Sequence, residues 1–258
     1  MNKISVVIIT KNEESRILKT LKSVNWCDEI IVVDSGSEDN TVKICKDFGC
    51  KVFYNKFFGY GEQKQFAVSK TANDWIFSID ADEVVTEKLK NEIIKNIDEY
   101  SSSYNGFTVK SSLIFFDKKL KWGGSCIKCK LRVFNKKYGN FNSNKVHESV
   151  IVTGRVKHLK NEILHYSYQD IFDYFEKFNI YTEYGAEELF AKNKKSPVIK
   201  IIFRTPLEFF KRYILQLGLL DGYPGFVWSF LCSFYPTVKY IKLRELHKKQ
   251  KKLNLDLK

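Results

Sequence analysis

No stretch of about 20 uninterrupted apolar residues occurs in this 258-residue chain, so a simple membrane-spanning helix is not expected. The best candidate, residues 214–236, is broken by Asp221, Gly222, Pro224 and Gly225 and reads as two shorter elements. A secretory signal is not expected either. The opening apolar run, Ile4 to Ile9, is short, meets Lys11, Asn12, Glu13 and Glu14, and has no small-residue cleavage site. Cysteine occurs six times, but Cys126 and Cys129 have no second pair nearby, which speaks against a four-ligand structural zinc site. Free thiols in a reducing, cytoplasmic setting are expected. Glycine is missing from the first strand-to-helix turn, Thr10-Lys11-Asn12-Glu13, so neither the dinucleotide fingerprint nor the glycine-lysine phosphate loop is present. Gly59-Tyr60-Gly61 does not replace them. No internal repeat and no nucleic-acid-binding motif is visible.

What is present is enough apolar material for a sizeable core, 44% of residues, and a net charge of +13 with a pI near 9.3. That balance favours anionic partners: phosphorylated metabolites, an acidic membrane surface or nucleic acid. The basic residues are spread along the chain, which weighs against nucleic acid. Strand and helix patterns alternate four times within residues 1–100. β-branched runs at Ile4–Thr10 and Glu29–Asp34, a short strand at Cys50–Tyr54 and the run from Trp75 predict buried parallel strands. Helical spacing lies between them, and Thr86 is placed to cap a helix carrying Leu89, Ile93, Ile94 and Ile97. This is the pattern of a doubly wound α/β sheet with right-handed crossovers. Residues 101–165 read as a mixed or antiparallel half, with strands at 106–116, 130–135 and 146–152. Residues 166–258 read as helical, roughly 169–193 and 198–218, with Pro197 and Pro206 near segment starts and a lysine-rich tail. The expected division is therefore a catalytic domain over 1–165 and a helical region over 166–258.

Candidate chemistry concentrates where Trp75-Ile76-Phe77-Ser78-Ile79 runs into Asp80-Ala81-Asp82-Glu83. Open α/β sheets bind ligands at the carboxyl ends of their strands. Two aspartates one residue apart can share a divalent cation, or divide a cation and a sugar hydroxyl between them. They can also simply turn the chain and cap the next helix. With no phosphate-binding glycines, a metal on Asp82 is the evident way to hold phosphates. The strand-end acids Asp34 and Asp80 suit hydrogen bonds to a base N–H or to ribose hydroxyls.

Three motifs, Ile4 to Glu13, Val33-Asp34-Ser35-Gly36-Ser37-Glu38-Asp39-Asn40-Thr41 and Ile79-Asp80-Ala81-Asp82-Glu83, resemble those of the family 2 glycosyltransferases. Leu131-Arg132-Val133-Phe134, Val146-His147-Glu148, Leu164-His165-Tyr166 and Gly218-Leu219-Leu220-Asp221-Gly222 resemble the lipopolysaccharide core branch related to the β-1,4-glucosyltransferase. The resemblance implies a GT-A type, Rossmann-like mixed sheet flanked by helices. It also implies an inverting, metal-dependent transfer of a glucose-type sugar from a UDP-sugar to a glycan or lipid-linked acceptor. By motif, Thr10, Asn12, Glu13, Asp34, Ser35, Gly36, Asp80 and Arg132 would contact the nucleotide-sugar. Asp82, with Asp80 and His147, would hold Mg2+ or Mn2+, and Glu148 would be the general base. A sugar hydroxyl is a poor nucleophile and needs such a base. The departing diphosphate needs nearby positive charge.

Each of these residues also has a structural reading. Glu148 can be a strand-edge surface acid, and on an alternating strand His147 would point away from it. Arg132 can sit on a strand's wet face, and His165, after Ile163-Leu164, can be a satisfied core histidine. Trp122-Gly123-Gly124 can form an aromatic acceptor-side loop. The run of Tyr and Phe from 166 to 178 reads as packing. Alternatives to a lipopolysaccharide-type acceptor are a polyprenyl phosphate or a protein side chain. A non-catalytic basic protein that binds membrane or nucleic acid is the reading from another class. For the enzyme, a peripheral position on the cytoplasmic face of the inner membrane is expected.

Overall fold

The computed structural model describes residues 2–125, 129–143 and 148–256. By internal contacts the chain forms two compact units: Met1–Leu113 with Ile127–Ser167, and Ile114–Cys126 with Tyr168–Lys258. The excursion over 114–126, which groups with the helical end, is not separated from residues 101–165 in the sequence reading above.

The first unit is built on a mixed sheet. Strands β1 (Ile4–Thr10), β2 (Glu29–Asp34), β3 (Lys51–Tyr54) and β4 (Trp75–Ser78) are parallel, in the order β3-β2-β1-β4. Helices α1 (Ile17–Ser23), α2 (Thr41–Asp47) and α3 (Tyr60–Ser69) connect them. The short β5 (Glu83–Val85) and α4 (Glu87–Tyr100) follow, and Thr86 caps α4 by accepting from Leu89 N at 3.2 Å. Beyond β4 the sheet continues with β8 (Cys129–Asn135), β6 (Gly106–Phe115), β11 (Val156–His165) and then β5. Strand β8 runs antiparallel to β4, so the sheet is mixed.

The sheet is covered on both faces, which is why its central strands are unbroken apolar runs. Val6, Ile8, Val32 and Phe77 pack into one buried cluster, and Val7, Ile31, Val33 and Ile76 into a second. The period-2 alternation along each strand divides the two. Each such side chain fully buried contributes about 1.5–3 kcal/mol.

The second unit is helical. It contains the short strand β7 (Lys118–Lys119), which closes a hairpin with the end of β6, then α5 (Ile171–Ala191), α6 (Val198–Phe210) and α7 (Gly222–Asp256). A π turn at Lys211–Leu215 and a 3-10 turn at Gly218–Asp221 join α6 to α7. The two residues at the β6–β7 turn, Phe116 and Asp117, have φ of 48° and 57°. A left-handed conformation costs an ordinary residue about 1–2 kcal/mol, and a phenylalanine rarely adopts it.

Three sequence expectations need correction. Residues 214–236 are not two short elements. Gly222, Pro224 and Gly225 fall in the first turn of α7, where a missing N–H costs little, and the helix runs on through Pro236. Pro206 lies inside α6 and does not open a segment; Pro197 does stand at its start. Of the strand expected over 146–152, residues 146 and 147 lie outside the described residues, and the strand described is β10 (Val150–Val152), paired with β9 (Gly139–Phe141). Asn142 N donates to Ser149 O at 2.9 Å just beyond the paired residues, and Glu148 belongs to no strand. Glu148 is therefore not on an alternating strand, and His147 lies outside the described residues. Cys27, Cys45, Cys50, Cys129 and Cys232 are free thiols. Burial pushes Cys45 up to about 12 and Cys50 to about 11.

Candidate functional site

The carboxyl ends of β1 and β2 lie side by side, with Thr10 opposite Asp34. The loops that follow are laced together. Asp34 Oδ2 accepts from Gly36 N (2.8 Å) and Ser37 N (3.0 Å), a turn that Gly36 enters at φ 92°. Asn12 N donates to Ser37 Oγ (2.8 Å), and Asn12 Oδ1 accepts from Glu38 N (2.9 Å). Glu13 N donates to Thr41 Oγ1 (2.7 Å), and its carboxylate holds Arg16 Nε at 2.6 Å. Ser35 Oγ accepts from Gln63 Nε2 of α3 (2.9 Å). These contacts set six sequence-predicted residues, Thr10, Asn12, Glu13, Asp34, Ser35 and Gly36, at one edge of the sheet. Thr10 Oγ1 is buried there without a hydrogen-bond partner among the described residues.

The adjacent strand end carries the acids. Beyond β4 the chain turns at Asp80, whose N–H donates to Glu83 Oε2 at 2.9 Å. Strand β8 reverses direction beside β4, with Val133 opposite Phe77, and so brings Arg132 to the same end. Arg132 Nη2 lies 2.6 Å from Glu83 Oε1 and 3.1 Å from Asp80 Oδ2. From α3, Lys64 Nζ reaches Asp80 Oδ1 at 2.9 Å and Glu148 Oε1 at 2.8 Å. A single buried ammonium thus joins the Asp80 carboxylate to that of Glu148.

Burial tends to raise the Asp80 carboxyl, but Lys64 and Arg132 outweigh it and hold the group well below the usual carboxylate range. Burial lowers the Lys64 ammonium, and Asp80 and Glu148 more than restore it. Glu83 goes the other way: burial raises it despite the pull of Arg132. The energies are finely opposed. Taking an ion out of water costs several kcal/mol, and a pair at 4 Å returns about 4 kcal/mol at an effective dielectric of 20. Such a network defines geometry more than it adds stability. Arg132 Nε remains buried with no partner among the described residues, a donor an incoming anion could use.

Asp82 stands apart from this cluster. Its Oδ2 lies 3.2 Å from His165 Nε2, which also meets Ser167 Oγ at 3.0 Å. The antiparallel pairing of β11 with β5 sets His165 opposite Glu83 and so fixes this approach. Burial lowers the imidazole, but Asp82 overrides it and raises His165 above its usual range. Asp82 is correspondingly lowered, against its own burial. Asp80 and Asp82, one residue apart, therefore have different partners.

Lys64 was not singled out from the sequence. A usable signal was its position one turn before Ala67 and Val68 on the buried side of α3. His165 was named without a partner, because its pairing with Asp82 spans 83 residues.

The sequence profile described as Glycosyl transferase family 2 matches residues 5–149. A protein named as an uncharacterised glycosyltransferase of Rickettsia typhi is 34% identical, covering 97% of this chain and 90% of the relative. The lipopolysaccharide core biosynthesis glycosyltransferase LpsC of Rhizobium meliloti is 26% identical, covering 98% of this chain and 96% of its own length. Among solved structures, glucosyl-3-phosphoglycerate synthase from Mycobacterium tuberculosis, in complex with Mn2+, UDP and glucosyl-3-phosphoglycerate, aligns at 26% identity. It covers 43% of this chain and 44% of that one, with a TM-score of 0.37. With more than half its length matched by the profile and a relative of that identity along nearly all of it, the chain belongs to glycosyl transferase family 2.

Proposed function

We propose that this glycosyltransferase moves a glucose-type sugar, with inversion, from a UDP-sugar to a hydroxyl of a lipopolysaccharide-core or other lipid-linked glycan. It would work as a peripheral enzyme on the cytoplasmic face of the inner membrane. The observation that carries the reading is Lys64, which holds Asp80 and Glu148 within hydrogen-bond reach of one ammonium. The name of the Rhizobium relative supports the acceptor class.

In this reading the laced loops around Thr10, Asn12, Asp34 and Ser35 bind the nucleoside, with the Thr10 hydroxyl still unsatisfied. Asp80, fixed between Lys64 and Arg132, takes the ribose side. Arg132 and Lys64 provide positive charge for a diphosphate. Glu148 accepts the proton of the attacking hydroxyl, and Lys64 determines where that carboxylate sits.

Among the described residues no three His, Cys, Asp or Glu side chains converge as a ready cation cage. Asp82 and His165 do offer an oxygen and a nitrogen 3.2 Å apart. The Asp82 carboxylate suits Mg2+ or Mn2+, hard cations that take oxygen ligands, and His165 would add its nitrogen only as the neutral imidazole. A cation bound there supplies charge neutralisation to the departing diphosphate.

The test is a thermal-shift screen of UDP-, GDP- and dTDP-sugars with and without Mn2+ or Mg2+. UDP-sugars should stabilise the protein only with metal, and Asp82→Ala should abolish the effect. Metal-independent stabilisation of equal size would remove Asp82 from that role. Glu148→Gln should keep donor binding and lose turnover by about 100- to 10,000-fold; full turnover would exclude it as the base.

A further inference from the structure

The turn between α6 and α7 opens on Lys211 and Arg212, both paired with Glu208, and beyond them presents apolar side chains to solvent. The two helices run antiparallel: Ser196 Oγ donates to Tyr240 O at 2.7 Å, the Thr205 and Thr237 hydroxyls meet at 2.7 Å, and Phe209 packs edge-on against Phe226 at 5.9 Å. Between residues 213 and 238 the only Asp, Glu, Lys, Arg or His is Asp221. Its carboxylate is turned inward, accepting from Lys121 N (2.9 Å) and Trp122 N (2.8 Å), and the residue is 3% exposed. What faces outward is Leu219, Leu220 at 55% exposure and Tyr223 at 71%.

The β6–β7 turn of the same unit extends this surface. Phe116 is held in its left-handed conformation with its ring stacked on Tyr223, centroids 6.2 Å apart at 12°. Non-glycine backbone in that region persists where the surroundings enforce it, and it tends to mark functional surfaces. Lys118 donates to Asp221 O at 2.6 Å, while Lys121 and Trp122 are exposed beside it. Asp117, also exposed, is the acid among them.

Leucines flanked by a tryptophan, a tyrosine and lysines are the composition of a protein surface seated at a lipid headgroup boundary. No helix among the described residues is long and apolar enough to cross a membrane. A second copy of the chain fits less well: a two-fold contact here would set the lysines of both copies against each other. An anionic surface attracts them, as it attracts a chain of net charge +13.

We propose that the α6–α7 turn and the β6–β7 turn together form a docking surface for an anionic bilayer. Leu219, Leu220 and Tyr223 enter the acyl boundary, and Lys118 and Lys121 meet headgroup phosphates. This deepens the peripheral placement proposed above. The lysine-rich tail lies away from this surface: Lys248 is 25 residues from Tyr223 along α7, about 37 Å at 1.5 Å per residue.

The test is co-sedimentation of the full chain with vesicles of phosphatidylcholine alone, or of phosphatidylcholine with a quarter phosphatidylglycerol. Binding is expected only with phosphatidylglycerol. Lys118→Gln with Lys121→Gln should weaken it roughly 25-fold, at about fivefold per lysine. Leu219→Glu with Leu220→Glu should weaken it more than tenfold, and Lys248→Gln with Lys249→Gln should change it less than either. Far-UV circular dichroism and the nucleotide-sugar thermal shift of each variant should match the parent. Equal binding to both vesicles, no binding, or binding that neither tip variant weakens would overturn the proposal. So would a dimer by light scattering that the leucine variant dissolves while sedimentation is unchanged. Vesicle binding by a chain that binds no sugar nucleotide would leave the docking surface standing and remove the donor reading.

Discussion

The two units treat water in opposite ways. The first buries charge: Lys64, Arg132 and Glu83 are each 5% exposed or less at the side chain, and all three are paired. The second displays apolar surface: Ile199, Ile202, Phe203 and Leu207 each stand more than half exposed. A monomer in water gains from neither arrangement. The contrast shows that composition is a poor guide to where stability resides. Charged positions of the first unit should be intolerant to substitution, and apolar positions of the second tolerant.

The largest expected effect is at Arg132. Arg132→Met would leave Glu83 without its guanidinium partner and Asp80 with Lys64 alone, and breaking a buried pair costs about 3–5 kcal/mol. At about 2–4 °C per kcal/mol in a unit of this size, thermal denaturation should show a fall near 10 °C. A fall of a degree or two would mean that the network is wetter than its burial indicates.

A smaller effect concerns pH. The imidazole of His165 is raised above its ordinary value of 6.5, so its contribution is complete below that pH and fades as pH rises through the elevated pKa. The lowered Asp82 contributes above its ordinary 3.8 and loses this only as pH falls through its folded value. Melting temperature should therefore decline on the alkaline side of 6.5, and His165→Gln should flatten that decline. Parallel curves for the two proteins would show that the pair does not titrate as described.

The smallest effect is expected where hydrophobicity is greatest. Phe203→Ser, in the exposed face of α6, should change stability in water by less than about 0.5 kcal/mol. A loss of several kcal/mol would show that this face is covered in solution and would erase the contrast between the units.

Much of the sheet was legible because burial on two faces leaves a plain mark. Ile4–Thr10 and Glu29–Asp34 are continuous β-branched runs and form β1 and β2 with those bounds. Strand β11 left no such mark. Its sequence, VKHLKNEILH, is polar at six of ten positions because much of it is only partly covered, and neither period stands out. The three residues of β5 are too few to show any period. The acids at the end of β4 were conspicuous, since polar residues after a buried strand are informative. Their cationic partners were less so. Lys64 reads like any solvated helix lysine until the sheet is placed beneath it, and Arg132 gains its partners only through the reversal of β8. Helix α7 was obscured by glycine and proline, which break a helix interior but are tolerated in a first turn.

The pairing that closes the site also bears on the order in which the chain can mature. Lys64, from upstream, reaches Asp80, but Arg132, Glu148 and His165 arrive 49 to 84 residues away from their partners. On a ribosome, the first hundred residues would hold three strand-end acids with only one of their three cationic neighbours. Burying them at that stage would be unfavourable. Native packing around β4 therefore waits for synthesis of β8 and β11, and long-range closure of this kind slows folding. The acidic edge should therefore stay open to solvent until β11, the last strand to join this sheet, has been made.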